Sequence, residues 1–188
     1  MKFKKIKKKQ KNFNLIRKEI FLFIVKNINK TIFDVLGYNF FKIYFDINFN
    51  NNYIVFNKSE IVGLVSYISP KKINLLKKKA IFFILKNPFL LFRIISGLYI
   101  FFKTKKNPHN YLQLLHLILN KSILKNTSKK DRDQKINYLH KKITINRYSG
   151  IFACYSRDNY VAEKYYKKNK YIIFDENFFF KFVKKKLN

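Results

Sequence analysis

The spacing of apolar side chains along the chain predicts several amphipathic helices. Apolar residues recur every three or four positions over 14–29, 38–47 and 131–142, which is the period of a helix with one buried face. We therefore expect a helix in each of these stretches. Residues 34–37 are expected to interrupt the helical pattern between the first two helices.

Shorter, continuous apolar runs predict buried strands. The polar residues 57–60 separate the first two runs, so we expect a β-hairpin there. Gly63, within the second run, indicates a close backbone approach or a β-bulge. The predicted strands lie at 53–56, 61–67, 112–119, 151–155 and 171–174.

Residues 73–102 predict two hydrophobic helices after the hairpin. Asn87 and Pro88 suit the N-cap and the first position of the second helix. The stretch 80–102 approaches the length of a transmembrane helix, but Pro88 and two basic residues inside it oppose insertion. We favour two packed helices, or a helical pair lying on a bilayer surface, over a spanning helix.

Residues 151–174 have the pattern of a strand, a polar turn, a short helix and a second strand, which is a βαβ-like unit. Asn159 ends the turn. Ala162, Tyr165 and Tyr166 follow at the spacing that places side chains on one face of a helix. A helix N-terminus beside the carboxyl end of a strand attracts anions, so this unit predicts a binding site for a negatively charged group.

The same helix resembles the C-terminal signature of GNAT-type N-acetyltransferases, which is N-x-x-A-x-x-F-Y-x-K-x-G-F. Tyrosine stands in place of both phenylalanines, and Lys170 replaces the glycine. The hairpin that contains Gly63 and the hydrophobic helical pair after it also resemble members of this family. The positions that carry the signature are Asn159, Ala162, Tyr165, Tyr166, Lys168 and Tyr171.

The resemblance implies an α+β fold, in which a central, mostly antiparallel sheet of six or seven strands is flanked by helices. The hydrophobic helical pair is an addition to that fold. Residues 1–188 are expected to form one domain, with 1–12 as a basic N-terminal strand or tail. Strands 112–119 and 149–155 are expected to be neighbours that splay apart and open a notch for a cofactor.

The resemblance also implies an activity, the transfer of acetyl from acetyl-CoA to an amine on a small molecule or a protein. Tyr166 is the expected catalytic residue, because a tyrosine at this position in the family gives a proton to the departing thiolate. Asn159 is expected to lie near the cofactor. The strand 112–119 is expected to meet the pantetheine arm of acetyl-CoA through Leu117 and Leu119.

The chain departs from the family at the loop that binds the pyrophosphate of the cofactor. The family carries R/Q-x-x-G-x-G/A there, and the glycines let consecutive backbone N–H groups point at the phosphates. This chain has no glycine, arginine or glutamine in the loop, so we expect a degenerate site that binds through lysine and hydroxyl side chains. The cofactor-binding candidates are Lys125, Asn126, Thr127, Ser128 and Lys129.

The charge of the chain adds two alternatives to the enzyme. Lys and Arg total 41 against 10 Asp and Glu, a net charge of +31, which is typical of proteins that bind nucleic acid or anionic membranes. The alternatives are an RNA-binding or ribosome-associated protein on a decayed acetyltransferase fold and, less favoured, a peripheral membrane protein. However, the abundant residue types are those of AT-rich codons, and lysines occur in every segment, which favours nucleotide bias. Lysine runs lie at 7–9, 77–79, 103–106 and 184–186.

Cys154 is the single cysteine, so no intramolecular disulfide forms, and we expect a protein of the reducing cytoplasm. Its apolar run indicates a core residue rather than a nucleophile. The three histidines are scattered, which predicts no metal site, and His116 is expected to pack against the sheet. The basic first residues lack a cleavage pattern, so we expect no leader peptide.

Overall fold

The chain alternates between helices and strands. A computed structural model describes residues 2–7, 12–28, 32–57, 60–87, 108, 110–120, 125, 127–145, 147–176 and 180–187. A short 3-10 turn, Phe49–Asn51, joins the second helix to the second strand. In chain order the elements are β1 (Lys4–Lys5), α1 (Phe13–Asn27), α2 (Ile32–Asn48), β2 (Asn52–Asn57), β3 (Glu60–Ile68), α3 (Pro70–Leu85), β4 (Tyr111–Leu119), α4 (Lys129–Thr144), β5 (Gly150–Ser156), α5 (Tyr160–Lys168), β6 (Ile172–Glu176) and β7 (Phe180–Lys186).

Within the described residues the strands form one seven-stranded sheet, in the order β1-β2-β3-β4-β5-β7-β6. Each neighbouring pair is antiparallel except β4 and β5, which are parallel. The predicted unit of strand, helix and strand is present as β5, α5 and β6, but β7 lies between its two strands. The fold is therefore of the predicted α+β class. One domain over 1–188 stays a prediction.

Helices cover both faces of the sheet because each has one apolar stripe that must leave water. On the first face, α1, α2 and α3 bury Ile20, Phe40 and Leu76 against the strands. On the second face, α4 and α5 bury Leu139 and Tyr166. The strand side chains beneath α4 and α5 include Val65, Leu112, Ile151, Ala153, Tyr155 and Val183.

A single glycine kinks α2. The sequence predicts an interruption over 34–37, whereas helix is present from Ile32 and only Gly37 departs from helical angles, with φ 71° and ψ −177°. This prediction was too wide. A residue without a Cβ adopts a positive φ at low cost, so one glycine is sufficient to redirect the helix.

The first of the two predicted hydrophobic helices is α3. Ser69 caps it by accepting a hydrogen bond from the N–H of Lys72, and Pro70 takes the first helical position. The helix ends at Leu85, near the start of the apolar stretch 80–102. No helix in the described part of the chain is long and apolar enough to cross a membrane. The second predicted helix, after Pro88, lies outside the described residues.

Gly63 brings β2, β3 and β4 close together. A Cβ at this position would stand 3.0 Å from Cδ2 of Leu119 and 3.1 Å from Cβ of Val55. The register of β2 against β3 also shifts beside it, between Val55 and Phe56. A bulge is therefore present beside Gly63, with Val62 as its extra residue, and the close contacts at Gly63 are with side chains rather than with backbone.

Candidate active site

A β-bulge in β4 lies where β4 and β5 part. In its pairing with β3, β4 has one extra residue, Leu115. On its other side, β4 pairs with β5 only over Tyr111–Leu114, opposite Gly150–Ala153, although both strands continue. A bulge bends its strand and disrupts regular pairing. The two strands are thus neighbours, as predicted, and an opening begins between them after Leu114.

Past the bulge, the backbone of β4 directs polar groups into this opening. The N–H of Asn120 donates to the C=O of Val62 on β3, at 2.8 Å. Successive residues of a strand direct their N–H and C=O groups to opposite sides. The backbone groups of Leu117 and Leu119 therefore point away from β3, towards the side where the pairing with β5 has ended.

Two helices begin at the carboxyl edge of the opening. Because β4 and β5 are parallel, their carboxyl ends lie at the same edge of the sheet. The helix α5 begins directly after β5. The helix α4 connects β4 to the amino end of β5 and so runs back from that same edge. Helix N-termini carry partial positive charge, so this edge attracts an anion.

Asn159 fixes the start of α5. Its side-chain oxygen accepts a hydrogen bond from the N–H of Ala162 at 3.0 Å, which satisfies one of the N–H groups that a first helical turn leaves without a helical partner. Asn159 is exposed, next to the carboxyl end of β5. By setting where the helix begins, it also sets the position of Tyr166, two turns later.

Tyr166 lies against the part of β5 that no longer pairs with β4. Its ring stacks on that of Tyr155, with centroids 5.2 Å apart, and meets the rings of Tyr165 and Tyr171 edge-on at 5.3 and 4.9 Å. The side chain is buried. Burial, then the neighbouring Cys154 and Tyr155, raise the pKa of Tyr166 above its ordinary value of 10.0. The hydroxyl therefore keeps its proton at neutral pH.

Cys154 is the first residue of β5 beyond its pairing with β4. Burial raises the pKa of its thiol to about 12. The thiolate is the nucleophilic form of cysteine, and almost none of it exists at neutral pH. Cys154 is half-buried, and its protonated thiol is not a nucleophile at neutral pH.

The residues predicted to bind pyrophosphate surround the start of α4. The hydroxyl of Ser128 caps the helix by accepting the N–H of Asp131 at 3.1 Å, and the C=O of Thr127 accepts a hydrogen bond from Arg132 at 2.8 Å. Lys125 and Lys129 are exposed. The predicted residue Asn126 lies outside the described residues. The structure thus brings Thr127, Ser128 and Lys129 together at a helix N-terminus.

His116 and His140 lie on opposite faces of the sheet. The ring of His116 packs beside that of Phe33, with centroids 6.1 Å apart, and burial lowers its pKa to about 4. Nδ1 of His140 lies 2.6 Å from the hydroxyl of Tyr67, and burial followed by the charge of Lys185 lowers its pKa to about 3. Both rings are therefore neutral at pH 7. In the described residues, no group of three His, Cys, Asp or Glu side chains is placed to hold a metal.

Two features of the site are absent from the predictions. The bulge at Leu115 gives no sequence signal, because β4 is apolar on both faces and its alternation does not reveal an extra residue. The stacking of Tyr155 on Tyr166, in contrast, does have a signal in the sequence. Ala153 and Tyr155 alternate along β5, so they face the same side as the helix that follows, and this alternation could have identified Tyr155.

Comparisons with known proteins bear on the fold. No protein-family model matches the chain, and no curated protein matches it in sequence. The N-acetyltransferase PseH of Campylobacter jejuni, solved in complex with acetyl coenzyme A, is 14% identical, with a TM-score of 0.50, and the match covers 100% of this chain and 99% of that chain. Ard1 of Thermoplasma volcanium is 6% identical, with a TM-score of 0.57 and coverage of 100% and 97%. An N-acetyltransferase of Staphylococcus aureus Mu50 is 10% identical, with a TM-score of 0.52 and coverage of 90% and 93%.

The chain has the GNAT fold. At these identities the likeness concerns the arrangement of helices and strands rather than the side chains of the site. It confirms the predicted fold class and the resemblance from which that class was inferred.

Proposed function

We propose that the protein transfers an acetyl group from acetyl-CoA to an amine. The observation that carries this proposal is the opening between β4 and β5, which has strand backbone on one side and the protonated hydroxyl of Tyr166 beside the other. The opening accepts an extended chain that needs hydrogen bonds along its length. The similarity of the fold to PseH, which was crystallised with acetyl coenzyme A, supports this choice of ligand.

Acetyl-CoA would supply a thioester whose acyl carbon is attacked by a neutral amine while the thiolate departs. The backbone groups of Leu117 and Leu119 would hold the amides of the pantetheine arm, because they face the opening where β5 offers β4 no further pairing. Hydrogen bonds along the arm would position the thioester within the opening. Holding reactants in this way accounts for a large share of enzymatic rate enhancement.

The start of α4 would bind the phosphates of the cofactor. Lys125 and Lys129 supply positive charge, and the helix N-terminus adds to it. The hydroxyl of Ser128 accepts the N–H of Asp131 and still has a hydrogen to donate to a phosphate oxygen. Thr127 and Asn126 complete the predicted set. Flexible charged side chains thus replace the glycine-lined amide cradle, and binding should weaken more steeply with added salt.

Tyr166 would donate a proton to the departing sulfur. Burial raises its pKa, so the proton is on the hydroxyl when negative charge develops on the departing sulfur. The proton that the amine loses as the amide forms would return the tyrosine to its neutral form, so the products would be an amide and the thiol of CoA. Asn159 acts indirectly by fixing the start of α5. The Cys154 thiol stays protonated, so the amine attacks the thioester directly and no acyl-cysteine forms.

We place the reaction in the cytoplasm, with a small molecule or a protein as the source of the amine. The comparisons give no support to the two alternatives, a nucleic-acid-binding protein and a membrane-attached protein. Among the described residues, lysines of the run 184–186 lie in β7 and pair with β5, which gives that run a structural role.

The proposal is tested by measuring binding and transfer separately. Isothermal titration calorimetry of the full chain with acetyl-CoA and with CoA should show binding of both. Release of free CoA thiol should then depend on an added amine, tested with small primary amines and with peptides that have a free N-terminus. Absence of binding in calorimetry would mean that the glycine-free loop no longer forms a cofactor site and that the fold serves another function.

A further inference from the structure

Four polar aromatic side chains converge between the sheet and the two helices on its second face. Tyr67 comes from β3, His140 from α4 and Tyr165 from α5, while Tyr171 follows α5. The hydroxyl of Tyr67 meets Nδ1 of His140 at 2.6 Å, and the rings of Tyr165 and Tyr171 both contact Tyr166. We call these four side chains the tyrosine–histidine cluster.

Three polar atoms of this cluster are buried and have no hydrogen-bond partner among the described residues: Nε2 of His140 and the hydroxyls of Tyr165 and Tyr171. His140 is completely inaccessible, and Tyr171 is 7% exposed. A buried polar group without a partner loses its hydrogen bonds to water and gains none in return. Native proteins leave few such groups unpaired, and three at one place call for a ligand.

The three atoms belong to one region of the interior. The Nζ of Lys185 lies 5.6 Å from the centroid of the Tyr171 ring and donates a hydrogen bond at 3.0 Å to Oδ1 of Asn137, one turn before His140 on α4. The rings of Tyr165 and Tyr171 both contact that of Tyr166, and Tyr67, Tyr166 and Tyr171 belong to one buried cluster on this face of the sheet.

A water molecule can supply the hydrogen-bond donors and acceptors that these three atoms lack. If Tyr67 donates to Nδ1 of His140, Nε2 carries a hydrogen and needs an acceptor, while each free hydroxyl both donates and accepts. A water molecule accepts two hydrogen bonds and donates two, and buried waters typically make about three to otherwise unsatisfied groups. The three atoms are each almost inaccessible, so a larger polar ligand would have no route in.

We propose that His140, Tyr165 and Tyr171 form a binding site for internal water between α4, α5 and the sheet. The signature that α5 resembles has phenylalanine at the positions of both tyrosines, so these two hydroxyls are features of this chain. The site does not depend on the proposed acetyl transfer, because none of its three unpartnered atoms has a role in that reaction.

The sign of a change in melting temperature tests this site. If water pairs the hydroxyls, Tyr165→Phe and Tyr171→Phe each remove a hydrogen bond and leave the water and its other partners less satisfied, so each should lower the melting temperature. Because the two residues share one water network, the double variant should lose less than the sum of the single changes. Tyr44→Phe is the matched control, since it removes a buried hydroxyl whose partner, Nδ2 of Asn48 at 3.4 Å, is present in the structure.

A crystal structure of the full chain provides the direct readout. We expect an ordered water within hydrogen-bond distance of Nε2 of His140 and of at least one of the two hydroxyls. A rise in melting temperature for Tyr165→Phe and Tyr171→Phe, while Tyr44→Phe lowers it, would overturn the proposal, because it would show that the hydroxyls are unpaired. A crystal structure in which the three atoms bond directly to one another, with no water between them, would overturn it as well.

Discussion

Replacing Tyr166 by phenylalanine separates the chemistry of this residue from its packing. The ring has three aromatic neighbours with centroids between 4.9 and 5.3 Å away, and phenylalanine keeps all three contacts. Only the hydroxyl is lost. We therefore expect the free energy of unfolding to change by about 1 kcal/mol or less, which is the usual net contribution of one hydrogen bond.

The expected effect on catalysis is much larger. Loss of a general acid typically lowers a rate by about 100- to 10,000-fold. At about 1.36 kcal/mol for each tenfold change, this corresponds to about 2.7–5.4 kcal/mol of transition-state stabilisation. The affinity for acetyl-CoA should be nearly unchanged, because the hydroxyl acts when the thiolate leaves and not when the cofactor binds.

The assay compares wild type, Tyr166→Phe and Tyr160→Phe for release of CoA thiol and for acetyl-CoA binding by calorimetry. Tyr160 is the control, because it lies in the first turn of the same helix with 70% of its surface exposed. Since burial raises the pKa of Tyr166, the wild-type rate should show no loss from ionisation of this residue up to pH 9 or so. If the wild type transfers acetyl and Tyr166→Phe is equally active, water or another residue is the proton donor.

Three further predictions concern stability and cofactor binding. Gly150→Ala would place a Cβ against the backbone oxygen of Lys185, and we expect an overpacking penalty of about 1–3 kcal/mol in urea denaturation. The pKa of His140 is about 3 in the folded protein against an ordinary 6.5, so the unfolded chain binds more protons between these values. Stability should fall by up to about 1.4 kcal/mol per unit as pH drops below 6.5, and His140→Gln should remove that part of the slope. Lys129→Ala should weaken acetyl-CoA binding several-fold in calorimetry, whereas Lys142→Ala, at the other end of α4, should not.

The elements that sequence reasoning found are those whose burial follows a simple period. The predicted helix 131–142 appears as α4, because one stripe of a solvated helix packs on the sheet and leaves the rest polar. The strand β7 was not predicted. Lysines occupy four of its seven positions, and only Phe182 and Val183 are buried, so its charge hid its role in the sheet. No local sequence pattern predicts that a lysine-rich segment will form a strand between β5 and β6.

The candidate site likewise has some features that the sequence predicts and others that it does not. The spacing from Asn159 to Tyr166 was readable, because helical geometry fixes the positions of residues close in sequence. The stacking of Tyr166 on Tyr155 and the parting of β4 from β5 depend on contacts between distant segments. The roles assigned to Leu117, Leu119 and the residues around the start of α4 stay predictions.

The short pairing between β4 and β5 leaves α4 as a second connection across the opening. Only four residue pairs join these two strands, and the strands on either side of them form separate halves of the sheet. One turn of α4 reaches both halves, since His140 meets Tyr67 on β3 and Asn137 accepts a hydrogen bond from Lys185 on β7 at 3.0 Å. A substitution in this turn of α4 would therefore act on both halves of the sheet at once, without any change in the residues that line the opening.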